Sequence, residues 1–358
     1  MSKEKDFTIR DIREDATKKL GKVHSEYINE GAMGLITVQA NELAYNRYRI
    51  IPRILRDVSN VDTSTTIFGT KVTFPFGFSP AAMHMIAHPS GEIGTSSAAS
   101  KAGIAMGVSH WATKSMEDII AAGKNAEGYG YKALLVTVDA PIIGRRLSEL
   151  RNGIGLPEGM SFPNVVEDDG STPNNFKNTV RDASTQFSTF LPWLVSVTPP
   201  TMEIWLKGIY HPEDVLLASS YPIAGIIVSN HGGRQLDTAP AILEALPACA
   251  AAARSPHALH LRSKLGLSRL KVGIDGGIRR GSDIFKALAL GADMCFAGRI
   301  PIWGLAVDGE DGVSRAIEIL RQEFEVTMML AGCISVGEIT KESLAVVEGG
   351  VPGIISRL

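Results

Sequence analysis

The sequence predicts an α/β fold, a TIM (β/α)8-type barrel with seven identifiable strands and a helical segment in front of it. Short apolar runs recur, separated by helix-length patterns, which marks crossover units and a parallel sheet. Several runs end in a polar or charged residue: Ser79, Ser109, Asp139, Lys207, Ser229 and Asp275. Reactive types gathered at one end of successive strands indicate the C-terminal face of a barrel, where its active site lies. The last two runs pass straight into glycine and arginine, a composition suited to a phosphate site after the terminal strands.

In chain order, residues 7–30 carry a helical pattern that ends at Gly31, and Tyr45 to Leu55 is basic. The stretch Thr66 to Val72 reads as a small hairpin. Strand candidates are Phe76 to Ser79, Ala105 to Ser109, Ala133 to Val138, Met202 to Leu206, Ala224 to Val228, Leu270 to Ile274 and Met294 to Ala297. Helices are expected over Gly91 to Ala102, Met116 to Ala122, Ala239 to Ala253 and Ser282 to Leu290. Residues 152–192, rich in Gly, Pro, Asn, Asp and Ser, read as a long loop over the barrel mouth. Residues 254–271 are basic and read as a solvated linker; His257 and His260 lack a third metal ligand nearby. The organisation is one domain over 1–358, with a helical segment at 1–65, the barrel at 66–335 and a tail at 336–358.

Composition sets bounds. A chain of 358 residues with 44% hydrophobic and 21% charged content is ordinary for a globular protein. A net charge of −2 predicts no attraction to nucleic acid or anionic membrane. The charged start, Met1-Ser-Lys-Glu-Lys-Asp, lacks the apolar core of a secretory signal. Cys249, Cys295 and Cys333 are odd in number and widely spaced, which fits reduced thiols and neither a disulfide framework nor a metal site.

The chemistry centres on Ala224-Gly-Ile-Ile-Val-Ser-Asn-His231-Gly-Gly-Arg234-Gln-Leu-Asp237. Ile226, Ile227 and Val228 form a β-branched run, as in a strand buried on both faces. It opens into an imidazole, two glycines and a guanidinium, a base beside a fixed cation. That pairing suits proton removal from an anionic substrate; a capped structural histidine with a solvated arginine fits the residues equally well. The second constellation is Lys271-Val-Gly-Ile-Asp275-Gly-Gly-Ile-Arg279-Arg280-Gly281, followed by Asp293-Met-Cys-Phe-Ala-Gly298-Arg299. Gly276, Gly277 and Gly298 permit close backbone approach, and Arg279 and Arg299 supply forked, charge-assisted donors for a phosphate.

On these motifs the chain resembles the FMN-dependent 2-hydroxy acid oxidases and dehydrogenases, the glycolate oxidase-like family, from about residue 9 to the C-terminus. Ser229 to Gln235 and Asp275 to Gly281 carry the resemblance. Supporting pieces are Phe285 to Ala292, Pro52 to Leu55, Ala87 to Glu92, Ser109 to Thr113, Leu135 to Pro141 and Gly144 to Arg146. The resemblance implies FMN as cofactor, His231 as catalytic base and Asp139 as its carboxylate partner. It implies Arg146 and Arg234 as the clamp on a substrate carboxylate, with Tyr27 and Trp111 also at the substrate. Flavin contacts fall on Pro80, Ala81, Ala82, Ser109, Thr137, Lys207 and Ser229. Asp275 corresponds to the ribityl partner, and Gly276, Gly277, Ile278, Arg279, Gly298 and Arg299 to the phosphate loop. Without it, Tyr27 and Trp111 would pass for core residues and Lys207 for a surface charge.

The expected reaction is oxidation of a 2-hydroxy acid to a 2-oxo acid, with electrons passed to oxygen or another acceptor. The family's third strand, which carries a glutamine at the flavin and an active-site tyrosine, has no counterpart: Met116 to Ala122 leads through Gly123 to Lys132 directly into the strand ending at Asp139. A strand–helix unit of about 25–30 residues is absent, which should open the barrel wall. Tyr129 and Tyr131 are candidate stand-ins. Two alternatives stand beside this reading: a biosynthetic oxidase acting on a larger substrate, because 152–192 differs in composition from its surroundings, or, because of the missing unit, a catalytically impaired FMN-binding protein. The family implies a homo-oligomer, a tetramer, and Ser356-Arg357-Leu358 resembles the Ser-Lys-Leu peroxisomal address.

Overall fold

The computed structural model describes residues 6–123, 130–165, 172, 182–347 and 355–357. The N-terminal helical pattern is realised as two helices, α1 (Ile9–Lys19) and α2 (Lys22–Asn29), and α3 (Ile36–Leu43) follows. Leu20 is extended (φ −73°, ψ 137°) and divides the helical stretch in two. Strand β1 (Tyr48–Ile50) precedes the hairpin of β2 (Thr65–Ile67) and β3 (Thr70–Val72).

The repeating body then runs β4 (Phe76–Ala81), α4 (Gly91–Ala102), β5 (Ala105–Val108), α5 (Met116–Ala122), β6 (Ala133–Thr137), α6 (Leu147–Asn152), α7 (Phe187–Val197) and β7 (Glu203–Lys207). It continues with α8 (Pro212–Ala218), β8 (Gly225–Val228), α9 (Ile242–Ala253), α10 (Pro256–Lys264), β9 (Lys271–Asp275), α11 (Gly281–Ala289), β10 (Met294–Ala297) and α12 (Arg299–Ala331). The tail supplies β11 (Leu344–Val347) and β12 (Ile355–Arg357), which join β1 in an antiparallel sheet.

All seven expected strands form one parallel sheet in the order β5-β4-β10-β9-β8-β7-β6. The first strand of this series, β4, pairs with the last, β10, as barrel closure requires. The break falls between β5 and β6, where the missing unit would stand, so the barrel is incomplete. The central strands β8 and β10 are buried throughout, whereas β5 is half-buried along its length and Leu134 of β6 is 36% exposed. Tyr131 crosses this break: its hydroxyl donates to the Met116 carbonyl at 2.8 Å. Tyr129 lies outside the described residues.

Strand alternation builds both the core and the site. Successive residues point to opposite faces, so i and i+2 share one. Trp205, Ile227, Met294 and Phe296 pack with Ile67 and Val72 of the hairpin, and Phe68 lies edge-on to Trp205 at 5.2 Å. This apolar layer fills the lower barrel. Two residues on from Trp205, Ile227 and Phe296 on the same face come Lys207, Ser229 and Gly298, at the C-terminal end. The opposite face, with Ile226, Val228, Val272 and Ile274, belongs to the main core under the helices.

Two expectations need correction. Residues 254–271 are no linker: α10 is capped by Ser255, whose side chain accepts from the Ala258 N–H, with Pro256 in the first turn. Its Arg262 is buried and donates to the Tyr221, Ile223 and Ser268 carbonyls. Within 152–192, α7 begins at Phe187; residues 166–171 and 173–181 of the expected loop lie outside the described residues. Among the described residues no helix is long and apolar enough to cross a membrane, and no cluster of three or more His, Cys, Asp or Glu residues could hold a metal ion.

Candidate active site

A cavity of about 470 Å³ opens at the C-terminal ends of the strands. Of the residues singled out from sequence, Tyr27, Pro80, Ala81, Ala82, Ser109, Trp111, Thr137, Arg146, Lys207, His231, Arg234, Asp275, Gly276, Gly277, Ile278, Arg279, Gly298 and Arg299 line it. Asp139 and Ser229 stand immediately behind. Asp139 Oδ1 lies 2.9 Å from His231 Nδ1, and Ser229 Oγ accepts from Lys207 Nζ at 3.1 Å and from the His231 N–H at 3.1 Å. Tyr131 is not in the lining.

The loop after β8 holds His231 in an unusual backbone conformation. His231, Gly232 and Gly233 all have positive φ (58°, 62° and 77°), a region that costs a side-chain-bearing residue about 1–2 kcal/mol. The surroundings over-determine it. Asn230 and Asn41 exchange two amide hydrogen bonds, at 2.9 and 3.0 Å, and Asn230 Oδ1 also accepts from the Gly233 N–H. A Cβ on Gly233 would lie 2.7 Å from the Val38 backbone nitrogen. Helix α3 thus clamps the loop.

Electrostatics prepare His231 as an acceptor. Burial and the Lys207 cation pull it below the ordinary histidine value, against the opposing pull of Asp139. At neutral pH the ring is therefore neutral, and with Nδ1–H donated to Asp139, Nε2 carries the lone pair. Burial alone would raise the Asp139 carboxyl, but the His231 hydrogen bond and the Lys207 charge hold it below the usual carboxylate range. Lys207 is buried 3.4 Å from Asp275 Oδ2; burial lowers its proton affinity, but Asp275 and Asp139 more than compensate, so it stays charged.

Arg146 and Arg234 meet across the mouth. Both donate to Glu149 Oε1, Arg146 from Nη1 at 3.0 Å and Arg234 from Nη2 at 2.8 Å. Arg234 lies 4.7 Å from the Tyr27 ring centroid, and its Nη1 donates to the Tyr27 carbonyl at 2.6 Å. Arg299 donates to the Ile28 and Glu30 carbonyls at 2.8 and 2.9 Å. The unpaired carbonyls at the C-terminal end of α2 are thus satisfied by two barrel arginines. Gln235 ties the two loops together, accepting from Arg146 Nη2 and donating to the Asp139 carbonyl. Sequence reasoning assigned no role to Glu149 or Gln235, although Gln235 closes the motif that it recognised.

At the other end, Ser79 Oγ donates to Asp275 Oδ2 at 2.8 Å, while Asp275 Oδ1 and Arg279 Nε are buried with no hydrogen-bond partner. Such atoms await a ligand. Gly277 has φ 80°, and a Cβ there would meet the Asn41 carbonyl oxygen at 1.9 Å, so only glycine fits. Arg279 pairs with Glu42 at 2.8 Å. Arg299 has no carboxylate within ion-pair distance among the described residues; burial beside Arg234 and Arg279 brings it down to about 9, still protonated at neutral pH. An unmatched buried cation and orphaned donor and acceptor atoms fit the phosphate and ribityl chain of a flavin nucleotide.

The arrangement defines a barrel oxidoreductase that holds a flavin nucleotide between a phosphate pocket and a histidine–aspartate pair. Residues 16–128 and 123–346 match the family model described as FMN-dependent dehydrogenase, in two stretches that meet at the break between β5 and β6. The chain belongs to that family, and its cofactor is FMN. Oxidase FUB9 of Fusarium oxysporum f. sp. lycopersici is 41% identical over 373 residues, covering 96% of this chain and 92% of the relative. Glycolate oxidase 3 of Arabidopsis thaliana is 38% identical over 361 residues, covering 93% and 94%. Among solved structures, a mandelate oxidase variant with (S)-mandelic acid superposes with a TM-score of 0.83 at 32% identity, covering 97% of this chain and 100% of that one. The FUB9 alignment is longer than the part of this chain it covers by roughly 30 positions, the size of one strand–helix unit. The chain is thus a member of the FMN-dependent 2-hydroxy acid oxidase family that lacks one unit of the wall.

Proposed function

We propose that this enzyme's oxidation of a 2-hydroxy acid to the 2-oxo acid runs through His231, with Arg146 and Arg234 binding the substrate carboxylate. The observation that carries this reading is the 2.9 Å His231–Asp139 contact in a cavity that both arginines line. FMN supplies the two-electron acceptor when bound. His231 Nε2 takes a proton from the substrate, and Asp139 stabilises the imidazolium that results. Forked guanidinium donors orient the substrate so that its C2 faces the base. Lys207 keeps a fixed positive charge beside the ring site, where negative charge develops on reduction. Asp275, Arg279 and Arg299 would hold the ribityl and phosphate groups, and the loop glycines would leave room for them. Ser109, Thr137, Ala81 and Ala82 form the wall beside the ring.

The test is a purified yellow protein mixed anaerobically with a panel of 2-hydroxy acids while the flavin absorbance is followed. Wild type bleaches; His231→Gln keeps its flavin and bleaches at least 100-fold more slowly. Normal bleaching by the variant overturns the base assignment. Oxygen is the proposed acceptor, checked by oxygen uptake with hydrogen peroxide formation. Homo-oligomerisation, as a tetramer, is checked by light scattering. Peroxisomal delivery by Ser356-Arg357-Leu358 is checked with a fluorescent fusion lacking those residues. The larger-substrate alternative drew on 152–192, much of which lies outside the described residues, and no described residue favours it.

A further inference from the structure

We propose that Glu149 sets the net charge of the substrate clamp and so restricts the site to 2-hydroxy acids with one carboxylate and an uncharged side chain; this rests on the reading of Arg146 and Arg234 as that clamp. A single oxygen, Glu149 Oε1, accepts from both guanidinium groups, at 3.0 and 2.8 Å. The three side chains are enclosed, at 14%, 15% and 16% exposure for Arg146, Arg234 and Glu149, so the bridge is no solvated surface pair. Glu149 also borders the cavity. It sits in the first turn of α6, three residues after Arg146, which places both side chains on one side of the chain.

Counting charges gives the consequence. Two guanidinium cations and one carboxylate leave one net positive charge, which one substrate carboxylate cancels. A second carboxylate on the substrate finds no cation to match. Of the other cations bordering the cavity, Lys207 is paired with Asp275 and Arg279 with Glu42, and Arg299 is taken up by the FMN phosphate on the reading above. It enters an enclosed space that already holds the Glu149 anion, and burying an unpaired charge there is strongly unfavourable. The neighbouring walls, Trp111, Leu135 and Ile143, are apolar and accept an uncharged side chain.

The test compares two substrates that differ only in charge: 2-hydroxysuccinate, with two carboxylates, and 2-hydroxysuccinamate, whose side-chain carboxylate is an amide. Wild type is expected to show kcat/KM at least tenfold higher for the amide, the difference lying in KM. Equal values in wild type overturn the proposal without any variant. In Glu149→Gln, which keeps an acceptor oxygen for both arginines but not the charge, the ratio falls at least fivefold; Glu149→Asp keeps the wild-type preference. A Gln variant that retains its flavin and an unchanged ratio also overturns it. If wild-type flavin is reduced by neither compound nor by any other 2-hydroxy acid, the function reading falls instead, and the two failures are told apart.

Discussion

Tyr131 donates its hydroxyl to the Met116 carbonyl at 2.8 Å, bridging the approach to β6 and the start of α5 across the interrupted wall. The loop at Phe162 to Asn164 reinforces the span from above. Asn164 accepts from the Met116 N–H and donates to the Lys114 carbonyl, and Phe162 packs edge-on against Trp111 at 5.0 Å. A tyrosine that sequence alone offered as an active-site stand-in is instead a strut. Tyr131→Phe is expected to cost about 0.5–1 kcal/mol, since the hydroxyl is partly solvated, and to leave flavin reduction unchanged. A thermal melt reads the first and anaerobic bleaching the second; a loss of rate with unchanged stability would contradict the strut.

Asp139 lies 2.9 Å from the imidazole and outside the cavity lining, so its proposed part is to orient the ring. Asp139→Asn keeps the size but loses the anion, so His231 is drawn still lower and its imidazolium loses stabilisation. The expected fall in the flavin reduction rate is roughly 100- to 10,000-fold, with FMN retained. A fall below tenfold in stopped-flow absorbance would contradict the assignment.

The pH dependence follows from the direction of the His231 shift. A base must be unprotonated, and burial with the Lys207 cation holds this one below the ordinary histidine range. In the free enzyme, kcat/KM is therefore flat through neutrality and declines as pH drops through that lowered value. In Lys207→Met the same limb moves to higher pH, because a cation that favours the neutral ring is gone. A wild-type profile that falls from pH 8 to 7 would contradict this sign.

Arg299 lacks a carboxylate partner among the described residues, so an FMN phosphate is its natural counter-ion. Arg299→Met is expected to weaken FMN binding by about 1.5–3 kcal/mol, on the order of 10- to 100-fold in Kd. Fluorescence titration of the apoprotein measures it. Because Arg299 also ties down the Ile28 and Glu30 carbonyls, the apoprotein should melt earlier as well. An unaltered Kd would contradict the phosphate assignment.

Much of this was legible in the chain itself, for physical reasons. Strands such as Ile226 to Val228 announce themselves because burial on both faces demands continuous β-branched residues. The absent unit was visible because Met116 to Ala122 leads through a short connection to the next strand. The histidine and the glycine–arginine loops that line the cavity were legible because glycines and charges crowd around strand ends. Glu149, Asn41 and Glu42 were not, since each acts only once distant segments are brought together. The helix at Pro256 was missed for another reason: its lysines, arginines and histidines outweighed the Ser255-Pro256 start signal, though Arg262 turns inward to satisfy carbonyls.

A ring of strands has no beginning; this one has two, β5 and β6, each with a row of peptide groups lacking a neighbour in the sheet among the described residues. Loss of structure on warming is thereby given a direction. Amide hydrogen exchange should advance from these two margins and reach β9, the middle strand of the seven, last of all. Asp139, the proposed partner of the base, follows the marginal strand β6, and Arg279, proposed for the phosphate, follows the middle strand β9, so the molecule should part with its chemistry before it parts with its grip on the nucleotide.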